Sequence, residues 1–501
     1  MNVSTFFRFL QIIFIVGGVC FQLSCSVNDV TGKKTLNFVT TAEEIEVGRR
    51  ADIQIKKQYG VLLDPKLQSY VKEIGQRVAA FSDRDDIRYY FTVLDTPMVN
   101  AFALPGGYVY VTRGLLSQLS SESELAFVLG HEVSHIAIKH GAQRLSQQKS
   151  IQFANVLASL FVKDNESSQQ LTSLVNQGVQ LAVLGYGRDN EFESDLYGAK
   201  YAADADYDTK EFDDFFYTLK RQEKTRNSWL QTLYSSHPPT TERIDRLNQY
   251  IASENLSTTS TASKSNQDYL KKISGLYMGP GNMIGNLVTA NNQTLYENLA
   301  YQIQFVMQPG WQISKSDEPD ALVVLTHNRM PIYGSLELLR PSKKITSISQ
   351  LALPFLRSPN KKMSHKRLSY LKVPAYQTKY KMSFSKFGEA VETATYFLNN
   401  GFAYRLVFVS KKTFSTTYDR EVESFLRTVS FVPTQRLRQT NAYWVLTHTV
   451  LKPQSLQSIR QQYDAYLPMP LTELSYLNNT SSSKQFKKGT LMKMPVLYPY
   501  L

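Results

Sequence analysis

A chain of 501 residues, 42% hydrophobic and 20% charged, is too long for one ordinary domain and too apolar to be disordered, so two to four globular domains are expected. Its net charge of +13 is unevenly spread: residues 1–260 hold 26 Lys+Arg against 30 Asp+Glu, net −4, and residues 261–501 hold 30 against 13, net +17. An anionic partner such as lipid headgroups or cell-wall polymer would therefore meet the second half, where a plain solvated basic surface is an equal reading. The two cysteines, Cys20 and Cys25, exclude a disulfide framework and, in a mature chain starting at Cys25, thiol catalysis.

At the N-terminus, Arg8 precedes an apolar run from Phe9 to Cys20. This is a positive n-region and an h-region of signal-peptide length, shorter than a membrane span. Gln22-Leu23-Ser24-Cys25-Ser26 resembles a bacterial lipobox, with Gln22 at a position usually given to Leu; the alternatives are a plain secretory signal or an N-terminal anchor helix. Ser26, where Asp would retain the protein at the inner membrane, fits outer-membrane sorting. The expectation is a signal peptide over 1–25 and an exported, periplasmic chain tethered to the outer membrane by lipid on Cys25, which disfavours nucleic acid as a partner. No later apolar run is long enough to span a membrane, and 151–162 suit only an amphipathic or buried helix.

Residues 40–80 read as helix, with an acidic first turn (Glu43, Glu44, Glu46) and Leu67, Val71, Ile74 and Val78 at helical spacing. Tyr89 to Asp95 reads as a strand. Pro105-Gly106-Gly107 is a turn into a second strand, Tyr108 to Thr112. Gly107, Tyr108, Val109 and Tyr110 are candidates for an edge that pairs with an extended peptide substrate, against the alternative of an ordinary hairpin strand. Ser121 and Glu124 form a capping box that opens a helix running to Ile138.

That helix carries His131-Glu132-Val133-Ser134-His135, an H-E-x-x-H motif. Its two imidazoles lie one turn apart on one face and can grip one Zn²⁺, with Glu132 as general base. His140, five residues past His135, is rotated by about 140° on an ideal helix and is not expected to reach the same metal. The third ligand has to come from another element. In Arg188 to Gly198, Glu191 and Asp195 share a helical face while Glu193 points elsewhere. Glu191 is the chosen carboxylate ligand, and Asp195 would accept a hydrogen bond from a ligand imidazole. An acidic helix by itself is usually a solvated face; only the H-E-x-x-H changes that. Downstream, Ser236-His237-Pro238-Pro239 and Arg243 place a rigid imidazole. It could steady an oxyanion, occupy the open metal position, or simply cap a loop.

These three motifs, in this order, resemble the M48 family of zinc metallopeptidases, in its soluble exported bacterial branch. The family pattern is H-E-x-x-H, then R-x-x-E-x-E-A-D-x-x-G, then S-H-P-x-x-x-x-R. Here Ser194 stands for Ala and Gly187 for the usual Ser before Arg188. Asn100 to Gly107 also looks like the family's approach to the substrate strand. The resemblance covers roughly residues 40–250. It implies a mainly helical zincin-type α+β domain with a small sheet bearing a substrate edge strand. It also implies one Zn²⁺ per chain on His131, His135 and Glu191, Glu132 as base, and His237 or Arg243 steadying the oxyanion.

The expected domain map is 1–25 leader, 26–252 protease domain, 253–291 linker (Ser/Thr-rich at its start), 292–433 small α+β domain, and 440–501 a segment resembling a degenerate LysM module. His327 and His365 lie away from acidic clusters and read as surface histidines. The expected activity is a zinc-dependent endopeptidase for misfolded or unassembled envelope proteins, with peptidoglycan as a partner of the LysM-like tail. The alternatives are a periplasmic chaperone or assembly factor with a latent metal site, and a cell-wall-binding lipoprotein.

Overall fold

The computed structural model describes residues 25–37, 39–147, 185–222, 230–256, 266–283, 285–290, 293–316, 321–339, 347–348, 350–351, 362–368, 373–384, 388–464, 467 and 469–498. The leader before Cys25, the apolar stretch 151–162 and the Ser/Thr-rich segment 257–265 lie outside the described residues. The architecture is α+β, as expected, and the chain divides into two units, Met1–Lys272 and Ile273–Leu501. Among the described residues no helix is long and apolar enough to cross a membrane.

The first unit opens with a hairpin, β1 (Cys25–Val27) paired with β2 (Lys34–Leu36). The expected helix over 40–80 is two helices, α1 (Thr41–Tyr59) and α2 (Pro65–Ala79). The break follows from local chemistry. Gly60 turns left-handed at φ 74, and Asp64 caps a fresh helix whose first residue is Pro65. Leu67, Val71, Ile74 and Val78 form the buried face of α2.

A three-stranded sheet follows, ordered β3 (Tyr90–Leu94), β5 (Tyr108–Thr112), β4 (Ala101–Leu104). β5 pairs in parallel with β3 and antiparallel with β4. The strand expected to offer a substrate edge, Gly107 to Tyr110, is therefore the central one. Its backbone groups are used on both sides, and the two edges of the sheet are β3 and β4. The β3–β5 crossover runs through β4, a topology that local strand signals do not carry.

After α3 (Arg113–Gln118) comes α4 (Glu122–Ala137), capped by Ser121 and buried along its whole length. Lys139 then adopts a left-handed conformation, φ 63, and a new helical segment begins at 140. Next are α5 (Arg188–Asp204), α6 (Phe212–Gln222), α7 (Gln231–Ser236), α8 (Thr241–Ser253) and α9 (Asn266–Ile273). α4 and α5 meet at two glycines. A Cβ on Gly130 would lie 2.5 Å from the Gly198 carbonyl oxygen, and one on Gly198 would lie 2.5 Å from His131 N. Only glycine permits this approach, and it brings the two motif-bearing helices together.

The second unit holds a seven-stranded antiparallel sheet, β10 (Trp311–Lys315), β11 (Ala321–His327), β12 (Ile332–Leu339), β16 (Phe402–Lys411), β15 (Gly388–Asn399), β14 (Ala375–Phe384), β13 (Lys362–Leu368). A second sheet is ordered β17 (Ser430–Phe431), β9 (Ile303–Val306), β8 (Gln293–Asn298), β7 (Asn286–Ala290). Trp311, Phe408 and Phe305 close on Phe425 of α10 (Ser415–Leu426), with ring centroids 4.9–5.4 Å apart. After α11 (Thr434–Gln439), the last segment runs β18 (Tyr443–Thr449), α12 (Leu456–Gln462), α13 (Leu471–Leu477) and Leu491–Val496, with the first and last strands antiparallel. β6 (Leu276–Met278) adds to the other side of β18. Residues 276–278 and 286–290, inside the expected linker, are thus strands.

Candidate metal centre

α4 supplies His131, Glu132 and His135, α5 supplies Glu191 and Asp195, and the α7–α8 connection supplies His237. All are buried. One donor atom from each of His131, His135, Glu191 and His237 can be chosen so that all lie within 4.8 Å of one another. His131 Nε2 is 3.1 Å from His135 Nε2 and 3.6 Å from Glu191 Oε2, and His135 Nε2 is 3.5 Å from Glu191 Oε1. This N,N,O set suits Zn²⁺. Glu191 Oε1 and Glu132 Oε2 are buried with no hydrogen-bond partner. A buried carboxylate oxygen left unpaired is costly, and a cation between the ligands, with a polar group beside Glu132, would satisfy both. The residues fit the ion.

The surroundings divide the labour. His131 Nδ1 lies 2.9 Å from Asp195 Oδ1, so Asp195 stands where the sequence places it, behind a ligand imidazole. Arg243 forks onto Asp195 through Nε and Nη2, both at 2.7 Å, while its Nη1 is 3.0 Å from Glu191 Oε2 and 3.1 Å from the Pro238 carbonyl. Each guanidinium nitrogen has a partner, so Arg243 holds two carboxylates in place, and it also lines the recess on the Glu132 side. Against burial, which raises it, the Arg243 charge holds Asp195 below the usual carboxylate range. Glu191 is driven well below that range by its three histidine neighbours, also against burial.

His131 and His135 differ electrostatically. Burial lowers both. For His131, hydrogen bonds to Asp195 and Glu191 outweigh it and raise the imidazole to about 9; His135 stays well below its ordinary value. Glu132 is pushed up by burial, the direction that suits a general base working near neutrality.

His237 ends α7. Its Nδ1 is 2.9 Å from Glu191 Oε2 and 3.3 Å from His131 Nε2, and its Nε2 is 3.6 Å from Glu132 Oε1. Of the three sequence alternatives, this geometry matches the imidazole seated among the metal donors. Pro238 and Pro239 stiffen the chain after it, and Thr240 caps α8. An apolar recess open to solvent lies beside Glu132, walled by Phe127, Val128, Phe215, Phe216, Leu219 and Leu233.

The sequence did not foretell the contacts of four neighbours. Tyr186 stacks on His135 at 4.0 Å and 20°. His140 and Glu193 stand behind the same ring, with Ser194 Oγ 3.5 Å from His140 Nδ1. The spacing of Glu193 from Glu191 points it off the ligand face correctly, but not toward nothing. A second H at the fifth position after the motif was the available signal. At the other departure from the family pattern, Gly187 caps α5 with no side-chain hydrogen bond.

Residues 65–251 match the model of peptidase family M48. The chain is 26% identical over 238 residues to the mitochondrial metalloendopeptidase OMA1 of Schizosaccharomyces pombe, covering 47% of this chain and 69% of that protein. It is 26% identical over 286 residues to the beta-barrel assembly-enhancing protease of Yersinia pestis, covering 55% and 58%. With the mitochondrial metalloendopeptidase OMA1 of Arabidopsis thaliana it shares 30% over 180 residues, covering 36% and 35%. The chain thus spans less than two thirds of most of these relatives. Among solved structures, cyanobacterial PsbP from Synechocystis sp. PCC 6803 matches at a TM-score of 0.24 and 12% identity over 29% of this chain and 95% of that one, too slight a likeness to argue from. The H-E-x-x-H helix, the crossing helix with Glu191 and Asp195, and the His237–Arg243 connection all lie within the residues, 65–251, that match the model of peptidase family M48.

Proposed function

We propose that the protein is a zinc-dependent endopeptidase of the bacterial envelope, acting on misfolded or unassembled envelope proteins. The observation that carries the reading is the buried convergence of His131, His135 and Glu191 around two orphaned carboxylate oxygens, with Glu132 alongside. His131, His135 and Glu191 would hold the zinc, which when bound supplies Lewis acidity and lowers the pKa of a coordinated water to about 7. Glu132 takes a proton from the attacking water on its free oxygen and returns it to the leaving amine. The apolar recess accepts a hydrophobic side chain of the substrate. The peptide backbone runs beside β4, an outer strand whose Ala101 also lines that recess. Relatives named beta-barrel assembly-enhancing protease support the choice of envelope substrates, and the lipobox-like leader supports a periplasmic, outer-membrane-tethered location.

A second reading concerns regulation. With Nδ1 of His237 among the ligand atoms, the enzyme is latent, and substrate has to displace that imidazole. A permanently latent protein would act as a chaperone or assembly factor. The two helices enclosed between the antiparallel strands Tyr443–Thr449 and Leu491–Val496 support the LysM-like reading and so peptidoglycan as a partner. The discriminating experiment measures zinc content, then compares cleavage of an unfolded polypeptide by wild type and Glu132→Gln. We expect one zinc in both and cleavage only by wild type. Full zinc without Glu132-dependent cleavage of any tested polypeptide would establish the chaperone reading instead.

A further inference from the structure

The two histidines of the motif are supported differently. His131 has a carboxylate directly behind it, Asp195, itself clamped by Arg243. Behind His135 stands another imidazole: His135 Nδ1 is 2.9 Å from His140 Nδ1, and His140 Nε2 is 3.1 Å from Glu193 Oε2. Glu193 in turn is paired with Lys33. His140 is 1% exposed, so it cannot exchange these partners for solvent.

The proton polarity of this chain follows from one fact. His135 turns Nε2 toward the ligand cluster, so in its neutral form its proton sits on Nδ1. It donates to His140 Nδ1, which therefore carries its own proton on Nε2 and donates to Glu193 Oε2. Every link then has one donor and one acceptor. The reverse order would put a proton on the nitrogen that faces the metal position.

The fold makes a specific effort to build this contact. An uninterrupted α4 would carry His140 away from His135. Instead the helix stops after Ala137, Lys139 takes the left-handed conformation at φ 63, unusual for a long side chain, and His140 swings back onto the ring of His135 at 5.0 Å between centroids. The hairpin β1–β2 braces that turn. Asn28, itself buried, donates through Nδ2 to the Ile138 carbonyl at 2.7 Å, and Tyr197 donates to the Val30 carbonyl at 3.0 Å. Lys33 reaches Glu193 from the same hairpin.

We infer that His140, oriented by Glu193, is a positioning residue for His135. The hairpin of residues 25–37, through Lys33, steadies this relay from outside. The inference rests on the reading of His135 as a zinc ligand. It assigns the ligand set one direct carboxylate support and one delivered through an intervening imidazole. Glu193 and Lys33 thereby tie the geometry of a buried ligand to a segment immediately after Cys25.

The test uses the full chain and zinc alone as probe. Zinc dissociation constants are measured by chelator competition, with melting temperatures of the metal-free proteins as a fold control and the d–d absorption of Co²⁺-loaded protein as a report on ligand geometry. His140→Leu should weaken zinc binding about 10–100-fold and shift the cobalt spectrum. His140→Asn, which can both accept and donate, should recover most of that loss. Glu193→Ala, at a partly exposed position that leaves folding intact, should also weaken zinc binding and shift the cobalt bands, whereas Glu193→Gln, still an acceptor, should do so less. Lys33→Ala should have the smallest effect. In the relay the double variant His140→Leu/Glu193→Ala is no weaker than His140→Leu alone. Wild-type zinc affinity and an unchanged cobalt spectrum in both His140→Leu and Glu193→Ala would overturn the relay and leave the zinc site standing; so would multiplicative losses in the double variant. A wild-type protein that takes up no zinc would overturn the zinc reading, and the relay with it.

Discussion

The two units bury different things. The first encloses Glu44, Arg84, Asp95, Arg113, Glu122, Glu124, Glu132, Glu191, Asp195 and Arg243 together with four histidines; among the described residues, the second encloses only Glu297 and Lys493 of its charged side chains. Its interior is instead aromatic and aliphatic, as at Phe305, Trp311, Phe408 and Phe425. Desolvating a charge costs several kcal/mol, repaid only with close, well-aligned partners. A core built that way is a poor route to stability compared with packed rings. Four of these charges, on Glu132, Glu191, Asp195 and Arg243, converge beside the α4–α5 crossing, and removing one partner there should damage site and fold together. The second unit should lose stability with no effect on metal binding.

The sharpest break of this comparison is Arg243→Ala. It strips the forked partner from Asp195 and a contact from Glu191, and should cost about 3–5 kcal/mol along with tight zinc binding, read by denaturant unfolding and chelator competition. Trp311→Ala should cost about the same, roughly 3–5 kcal/mol, in the second unit, yet leave zinc affinity unchanged. A change in zinc affinity there would dissolve the contrast. Gly198→Ala comes next. The added Cβ meets His131 N at 2.5 Å, and prying the helices apart should cost about 1–3 kcal/mol, with weakened zinc binding as the more sensitive readout. His237→Ala should raise initial cleavage rates if the seated imidazole holds the enzyme latent; lowered rates with unchanged zinc content would return it to the oxyanion role. At the bottom of the scale, Arg427→Ala removes an exposed i,i+4 pair with Glu423, and its melting temperature should match that of wild type.

Much of the first unit could be read from residues alone, because the relevant information is local. Ser121, accepting from the Glu124 backbone N–H, opens a helix, helical spacing puts His131 and His135 on one face, and the same spacing pairs Glu191 with Asp195. The misreadings share one cause. A 40–80 helix ignores the left-handed turn at Gly60. The assignment of Gly107–Tyr110 to a sheet edge took a β-rich run for its place in the sheet, and strand order is set by pairings with residues 90–94 and 101–104. The pairing of Arg243 with Asp195 and Glu191, 48 and 52 residues away along the chain, is likewise invisible in the sequence. Around the seven-stranded sheet, several strands were legible as β-rich runs, but no local signal specifies their order.

The sequence by itself determined the chemistry on offer: which residues can hold zinc and which can move a proton. Those are properties of residue type and of spacing within a turn or two of helix. Only the tertiary structure decided who stands behind each ligand. The Gly130–Gly198 contact sets how closely α4 and α5 approach, and so brings Asp195 to His131. The left-handed turn at Lys139 returns His140 to His135, and the hairpin after Cys25 brings Lys33 to Glu193. Buried polar atoms need partners within hydrogen-bond reach, and in this fold those partners come from distant segments, as with Asn28 and Ile138, 110 residues apart along the chain.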